Sequence, residues 1–212
     1  IAGASAIVID TTAPTVTSFT TTQTSPTSST SFSFTLTFSE AVTGVSDADF
    51  ASAATLAAIA EMLREVHALP AVDHVFNCFR VTSAHRDAAA SRGVAIPAAY
   101  DRIDRIVREI ATAFAVDPEA PVLCHNDLLC ANFLSDTSRL WLLDWEYAGM
   151  NDRSFDLGNL AVNNALPDDA MTHLTHAYRR RAAESDVARV RLMRVVSDAR
   201  EAMWGVVQLG SS

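Results

Sequence analysis

The stretch PVLCHNDLLCANFLSDTSRLWLLDWEYAGMNDRSFDLGNL, residues 121–160, decides how this chain is read. It sets His125, Asp127 and Asn132 at H-x-D-x-x-x-x-N spacing, and Asp144 follows twelve residues after Asn132 at the end of an apolar run. A carboxylate such as Asp127 is the group that orients or deprotonates a hydroxyl. An Asn carbonyl oxygen and an Asp carboxylate are hard ligands of the kind Mg²⁺ takes. Val122–Cys124 and Leu140–Leu143 are short apolar runs on either side of the loop and read as buried strands.

Working outward, helical patterns surround this core. Leu56, Ile59, Leu63 and Val66 follow 3-4-3 spacing, the stripe of an amphipathic helix that ends at Leu69-Pro70. Tyr100, Ile103, Ile106, Val107, Ile110 and Phe114 mark a second helix. Further helices are expected at about 153–166, 168–182 and 186–208. From Ala51 onward the segment reads as a mainly helical lobe with a short β element.

Residues 1–50 have a different composition, with 13 Thr, 9 Ser, four acids and no Lys or Arg. Phe32, Phe34, Leu36 and Phe38 alternate with Ser33, Thr35 and Thr37, the period-2 pattern of a half-buried strand. A weaker strand fits Thr15–Thr20, and Ser25-Pro26 and Thr43-Gly44 read as turns. Two or three strands do not close a sandwich, so this piece reads as incomplete by itself. The expected organisation is therefore a β segment over 1–50 and a helical lobe over 51–212, with a boundary near residues 50–55.

Across the 212 residues, 49% are hydrophobic and 19% charged, enough for a packed core. The net charge of −9 argues against a general nucleic-acid or anionic-membrane binder. No apolar run is long enough to cross a bilayer. The chain starts at Ile1 without a basic leader, so no intact signal peptide is expected. Cys78, Cys124 and Cys130 show no zinc spacing and read as inert free thiols in a reducing compartment.

Residues 51–210 resemble the C-terminal lobe of the choline/ethanolamine kinase and aminoglycoside phosphotransferase families. HNDLLCANFL is similar to their catalytic loop, LLDWEYAGMNDRSFDLGNL to their metal-binding segment, and SDAREAMWGVVQ (197–208) to a late helix of choline-kinase-like proteins. The resemblance implies an α+β fold, a mainly helical protein-kinase-like C-lobe, preceded by an incomplete β-sandwich-like segment. It implies ATP as co-substrate and Mg²⁺ as cofactor. Asp127 would act on the acceptor hydroxyl, while Asn132 and Asp144 would hold the metal against the phosphates. His125, within the catalytic loop, would brace the metal-binding segment.

Other positions keep two readings. Asp156 fits a brace to the catalytic loop or a helix N-cap. Glu146 fits a contact near the metal or a solvated acid. Trp145, Tyr147 and Trp204, with Glu201 one turn before Trp204, fit the aromatic and acidic lining of a cationic substrate, or ordinary core packing. The acidic balance favours a small cationic alcohol or amino alcohol as partner.

DTTAPTVTSFT (10–20) and SFSFTLTFSEAVTGVSDADF (31–50) resemble the opening strands of immunoglobulin-like repeats of bacterial surface proteins. That resemblance implies export, whereas the kinase-like part implies the cytoplasm. The kinase families also use an N-terminal lobe with a Gly-rich loop and a strand lysine. Here the seven glycines are scattered and there is no lysine. The expectation is a phosphotransferase lobe that binds Mg²⁺-ATP weakly and turns over negligibly within these residues. The competing expectations are a non-catalytic surface or interaction protein with a vestigial lobe, or a chimeric product.

Overall fold

The computed structural model of the protein describes residues 16–21, 34–39, 43–44, 52–135 and 140–210. The apolar stripe read at 56–66 forms α1 (Ala53–His67), which buries Leu56, Ile59, Leu63 and Val66. The side chain of Ser52 caps its N-terminus by accepting from Thr55 N–H. The chain continues through α2 (Cys78–Ser91), α3 (Tyr100–Val116), α4 (Arg153–Asn163), α5 (Asp168–Arg179) and α6 (Glu184–Gln208). Helix α2 was not expected. Its buried positions are Cys78, Thr82 and Ala89, too small and too polar to print an apolar stripe.

The core forms where α1, α4, α5 and α6 converge. Leu56, Ile59, Leu63, Leu128, Phe133, Leu157, Leu160, Met171 and Leu174 are all essentially inaccessible to solvent. Burying each such side chain contributes about 1.5–3 kcal/mol. A second cluster joins Phe76, Ile110, Phe114, Phe155, Met193 and Val196.

The strands are short. In the amino-terminal part, β1 (Val16–Thr21) pairs antiparallel with β2 (Phe34–Phe38), so both expected strands are present. The expected turn at Ser25-Pro26 lies outside the described residues. The turn expected at Thr43-Gly44 is instead a strand, β3 (Thr43–Gly44). It pairs antiparallel with β5 (Phe133–Ser135), which supplies the backbone partners a turn would have found locally. Strand β5 also pairs with β6 (Leu140–Leu142), while β4 (Val122–Cys124) pairs with β7 (Gly149–Asn151). Among the described residues, no helix is long and apolar enough to cross a membrane.

Candidate active site

Two antiparallel pairs set the frame. The loop 125–132 leaves β4 and enters β5, and the segment 143–148 leaves β6 and enters β7. Because Phe133 stands opposite Leu142, the next residues outward are Asn132 and Leu143. Leu143 N–H donates to Asn132 O at 2.9 Å. The twelve-residue gap between Asn132 and Asp144 is thus closed by the β5–β6 pairing.

His125 adds a second tie. Asp127 N–H donates to its Nδ1 at 3.3 Å, so that nitrogen carries no proton, and Nε2 donates to Leu143 O at 2.8 Å. Both ring nitrogens hold backbone, which leaves neither for a substrate. Trp145 packs edge-on against the His125 ring at 4.9 Å between centroids and donates from Nε1 to Leu142 O.

The loop is also held from α4. Asp156, fully buried, accepts from His125 N–H and Asn126 N–H, each at 2.8 Å, with one carboxylate oxygen apiece. One turn later, Asn159 Oδ1 accepts from Leu128 N–H at 2.6 Å. Asp156 thus holds the loop backbone at His125 and Asn126. The N-cap alternative belongs to Asp152, whose side chain accepts from Ser154 N–H. His67 of α1 reaches the same carboxylate, with Nε2 3.0 Å from Asp156 Oδ2, while its Nδ1 lies 2.6 Å from Tyr178 Oη.

Two residues of the site adopt left-handed backbone conformations, Asn126 at φ 68° and Asp144 at φ 62°. Asx residues tolerate this region best among those with a Cβ. Asn126 is secured there by its own side chain: Nδ2 faces Cys124 O, Tyr147 O and Gly149 O, and Oδ1 accepts from Asn151 Nδ2 at 2.8 Å.

The side chains offered to a ligand differ in setting. Asp127 is half-buried, and its Oδ1 accepts from Arg200 Nη1 at 3.1 Å rather than from the backbone N–H groups a capping carboxylate would take. Asn132 is buried, and its Nδ2 donates to Asp127 O at 2.9 Å. That commitment turns the amide so that its carbonyl oxygen has no partner among the described residues and is the ligand atom a cation needs. Asp144 and Glu146 are exposed. The fit to Mg²⁺ thus rests on a fixed Asn carbonyl beside a segment carrying an open carboxylate.

On the other side, Arg200 of α6 brings Glu201 to Asp127. Its Nη1 also donates to Asn126 O at 3.0 Å and Glu201 Oε1 at 3.0 Å. Its guanidinium lies 5.1 Å from the Tyr147 ring centroid. Burial raises the Glu201 carboxyl above its ordinary range, with Asp127 and Asp198 adding to the rise and Arg200 opposing it. Burial chiefly raises the Tyr147 hydroxyl as well. Trp204, 41% exposed, packs against His85 at 5.4 Å between centroids. Burial pushes the Cys78 thiol up to about 12 and the Cys124 thiol well above its ordinary value, so neither is a reactive thiolate.

Sequence reasoning missed His67, Asn126, Asn159 and Arg200. Arg200 did leave a signal. It sits within the buried series Met193, Val196, Arg200, Met203 and Val207 on α6, a charge at a core position.

Comparison with known proteins places this geometry. Residues 30–193 match the family model described as the phosphotransferase enzyme family. A choline/ethanolamine kinase family protein from Mesorhizobium loti superposes with a TM-score of 0.74 at 27% identity, covering 91% of this chain and 66% of that one. Aminoglycoside 2'-phosphotransferase-IIIa, at 14% identity and a TM-score of 0.58, shares the fold over 84% of this chain and 70% of its own. Protein LicA of Haemophilus influenzae is 40% identical over 55 residues, 26% of this chain and 21% of that protein. Mouse ethanolamine kinase 2 is 55% identical over 40 residues, 18% of this chain and 10% of its own. The chain thus aligns with 21% and 10% of the length of these two curated relatives. A family model that spans three quarters of the sequence, agreeing with a loop tied to a neighbouring acidic segment, leaves one assignment: this chain belongs to the phosphotransferase enzyme family.

Proposed function

We infer that this chain is the acceptor-side lobe of an ATP-dependent phosphotransferase acting on a small-molecule alcohol, of the choline/ethanolamine kinase type. The observation that carries it is the set of hydrogen bonds joining His125, Asp127 and Asn132 to Leu143, which brings the Asp144 segment to the loop. Asp127 would orient the acceptor hydroxyl or take its proton. Asn132 and Asp144 would hold Mg²⁺, which, when bound, neutralises charge developing on the transferred phosphoryl group. Glu201, Tyr147 and Trp204 offer a carboxylate and two aromatic faces to a cationic amine. Trp145, packed on His125, supports the loop, and Glu146 stands exposed beside the metal segment.

These 212 residues contain no lysine and no G-x-G-x-x-G run. Phosphoryl transfer depends on positioning and electrostatics, so a lobe without those groups binds nucleotide weakly. The expected result is Mg²⁺-dependent but weak ATP binding by calorimetry, lost in Asn132→Ala together with Asp144→Ala. Choline phosphorylation is expected to be negligible until a nucleotide lobe is supplied ahead of Ala51. ATP affinity indifferent to Mg²⁺ and to both substitutions would sink the reading. A cytoplasmic setting suits an ATP-dependent reaction.

The second reading is a non-catalytic surface or interaction protein carrying this lobe. The β1–β2 pairing of a Thr/Ser-rich segment favours it. It predicts that Asp127→Asn leaves every binding property of the chain unchanged.

A further inference from the structure

We propose that Arg200 is a positioning residue for Asp127, holding Oδ1 so that the other carboxylate oxygen is presented to the acceptor hydroxyl. The proposal rests on the phosphotransferase reading of Asp127 and goes beyond it, because it assigns how the carboxylate is aimed. Arg200 is only 6% exposed, and a buried guanidinium without partners is costly. Here a single nitrogen, Nη1, meets Asn126 O, Asp127 Oδ1 and Glu201 Oε1, at 3.0, 3.1 and 3.0 Å. One contact fixes the loop backbone, the second fixes the carboxylate, and the third sets a second acid beside it.

The guanidinium plane is itself confined. It lies over Phe76 at 5.7 Å and over Tyr147 at 5.1 Å from the ring centroids. The Asp127 carboxylate is therefore tethered to a side chain that is held against two aromatic rings. A carboxylate on two rotatable bonds otherwise samples several orientations, and a hydroxyl acceptor needs one of them. Arg200 arises from α6, while Asp127 arises from the β4–β5 loop, so the tether also couples the late helix to the loop.

The test separates aiming from mere folding by comparing choline with tetramethylammonium, which has the cation but no hydroxyl. In the wild-type chain, choline should bind about tenfold more tightly, the worth of one hydrogen bond to a charged group. Arg200→Met should abolish that preference while tetramethylammonium keeps or improves its affinity. Arg200→Lys, which keeps the charge, should restore part of the preference. In Asp127→Asn, adding Arg200→Met should cost less choline affinity than it costs in the wild type, because the two share one contact. Equal weakening of both ligands in Arg200→Met, with no rescue by lysine, would overturn the proposal in favour of a structural role.

A second readout is independent of any substrate. The Arg200 Nη1 group should give a resolved proton–nitrogen resonance in the wild type whose chemical shift moves in Asp127→Asn, while its contacts to Asn126 O and Glu201 Oε1 keep it in place. A resonance left unmoved by Asp127→Asn overturns the proposal. A resonance that moves as expected in a chain that binds neither choline nor tetramethylammonium supports the tether and overturns the acceptor class instead.

Discussion

Asp156 shows how much one buried side chain can decide. Both of its oxygens accept backbone N–H groups, and His67 approaches the same carboxylate. In Asp156→Asn, one oxygen becomes an NH₂ group that must face a donor. Two buried donors then oppose each other, at a cost of about 3 kcal/mol. Urea denaturation should show that loss, with fewer protected amides at His125 and Asn126. Glu201 gives a pH signature. Its carboxyl is raised in the folded chain, so its contribution is fully present below its unfolded midpoint and is lost as pH rises through the folded one. Glu201→Gln removes that dependence. Its denaturation midpoint should therefore gain on wild type as pH rises from about 4 through the folded midpoint. A constant difference across that range would show the group does not titrate in the folded state as described. The ligand-type residues of the loop were legible because their spacing is local. Of the residues that hold them, His125 and Asp156 were legible within the motif, whereas Asn126, Asn159 and Arg200 were not, because they owe their roles to partners distant in sequence.

At the scale of elements, α4 and α6 approach closely at Gly158. A Cβ added there would lie 2.6 Å from Arg194 N and 2.7 Å from Met193 C. Those are backbone atoms that cannot rotate aside. Alanine would gain about 1 kcal/mol of helix propensity. Pushing two packed helices apart costs more, so Gly158→Ala should lose about 2 kcal/mol net. Thermal unfolding followed by circular dichroism would show it, and a stabilised variant would mean the helices part without strain. Helices α1 and α3 printed their apolar stripes in the sequence, and α4, α5 and α6 were placed to within a few residues. Helix α2 printed none, since Thr82 and Ala89 are buried without being large or strongly apolar. Strand β3 read as a turn because Thr-Gly has turn chemistry, and only its partner in β5 makes it a strand.

For the whole molecule, the shift from Thr/Ser-rich to Ala/Arg-rich sequence near residue 50 remains our proposed boundary. Helix α1 begins just beyond it, at Ala53. Limited proteolysis should cut first between about residues 45 and 55, leaving the helical lobe protected. Uniform protection across that interval, with one cooperative transition, would instead join the two parts. The pairing of Thr43-Gly44 with Leu134-Ser135 makes this a real contest, because cutting after β3 leaves its hydrogen bonds to the lobe in place.

The β5–β6 register carries an evolutionary consequence. Asn132 and Asp144 are neighbours because the ladder closes at its base, from Phe133 opposite Leu142 to Ser135 opposite Leu140. Residues inserted between Ser135 and Leu140 would lengthen the numerical interval without moving either end. The same insertion below Phe133 would turn the strand's faces over. Relatives of this chain are therefore free to vary in length between Ser135 and Leu140, while Asn132 and Asp144 keep their count from the paired residues, so a search template should carry an elastic gap there.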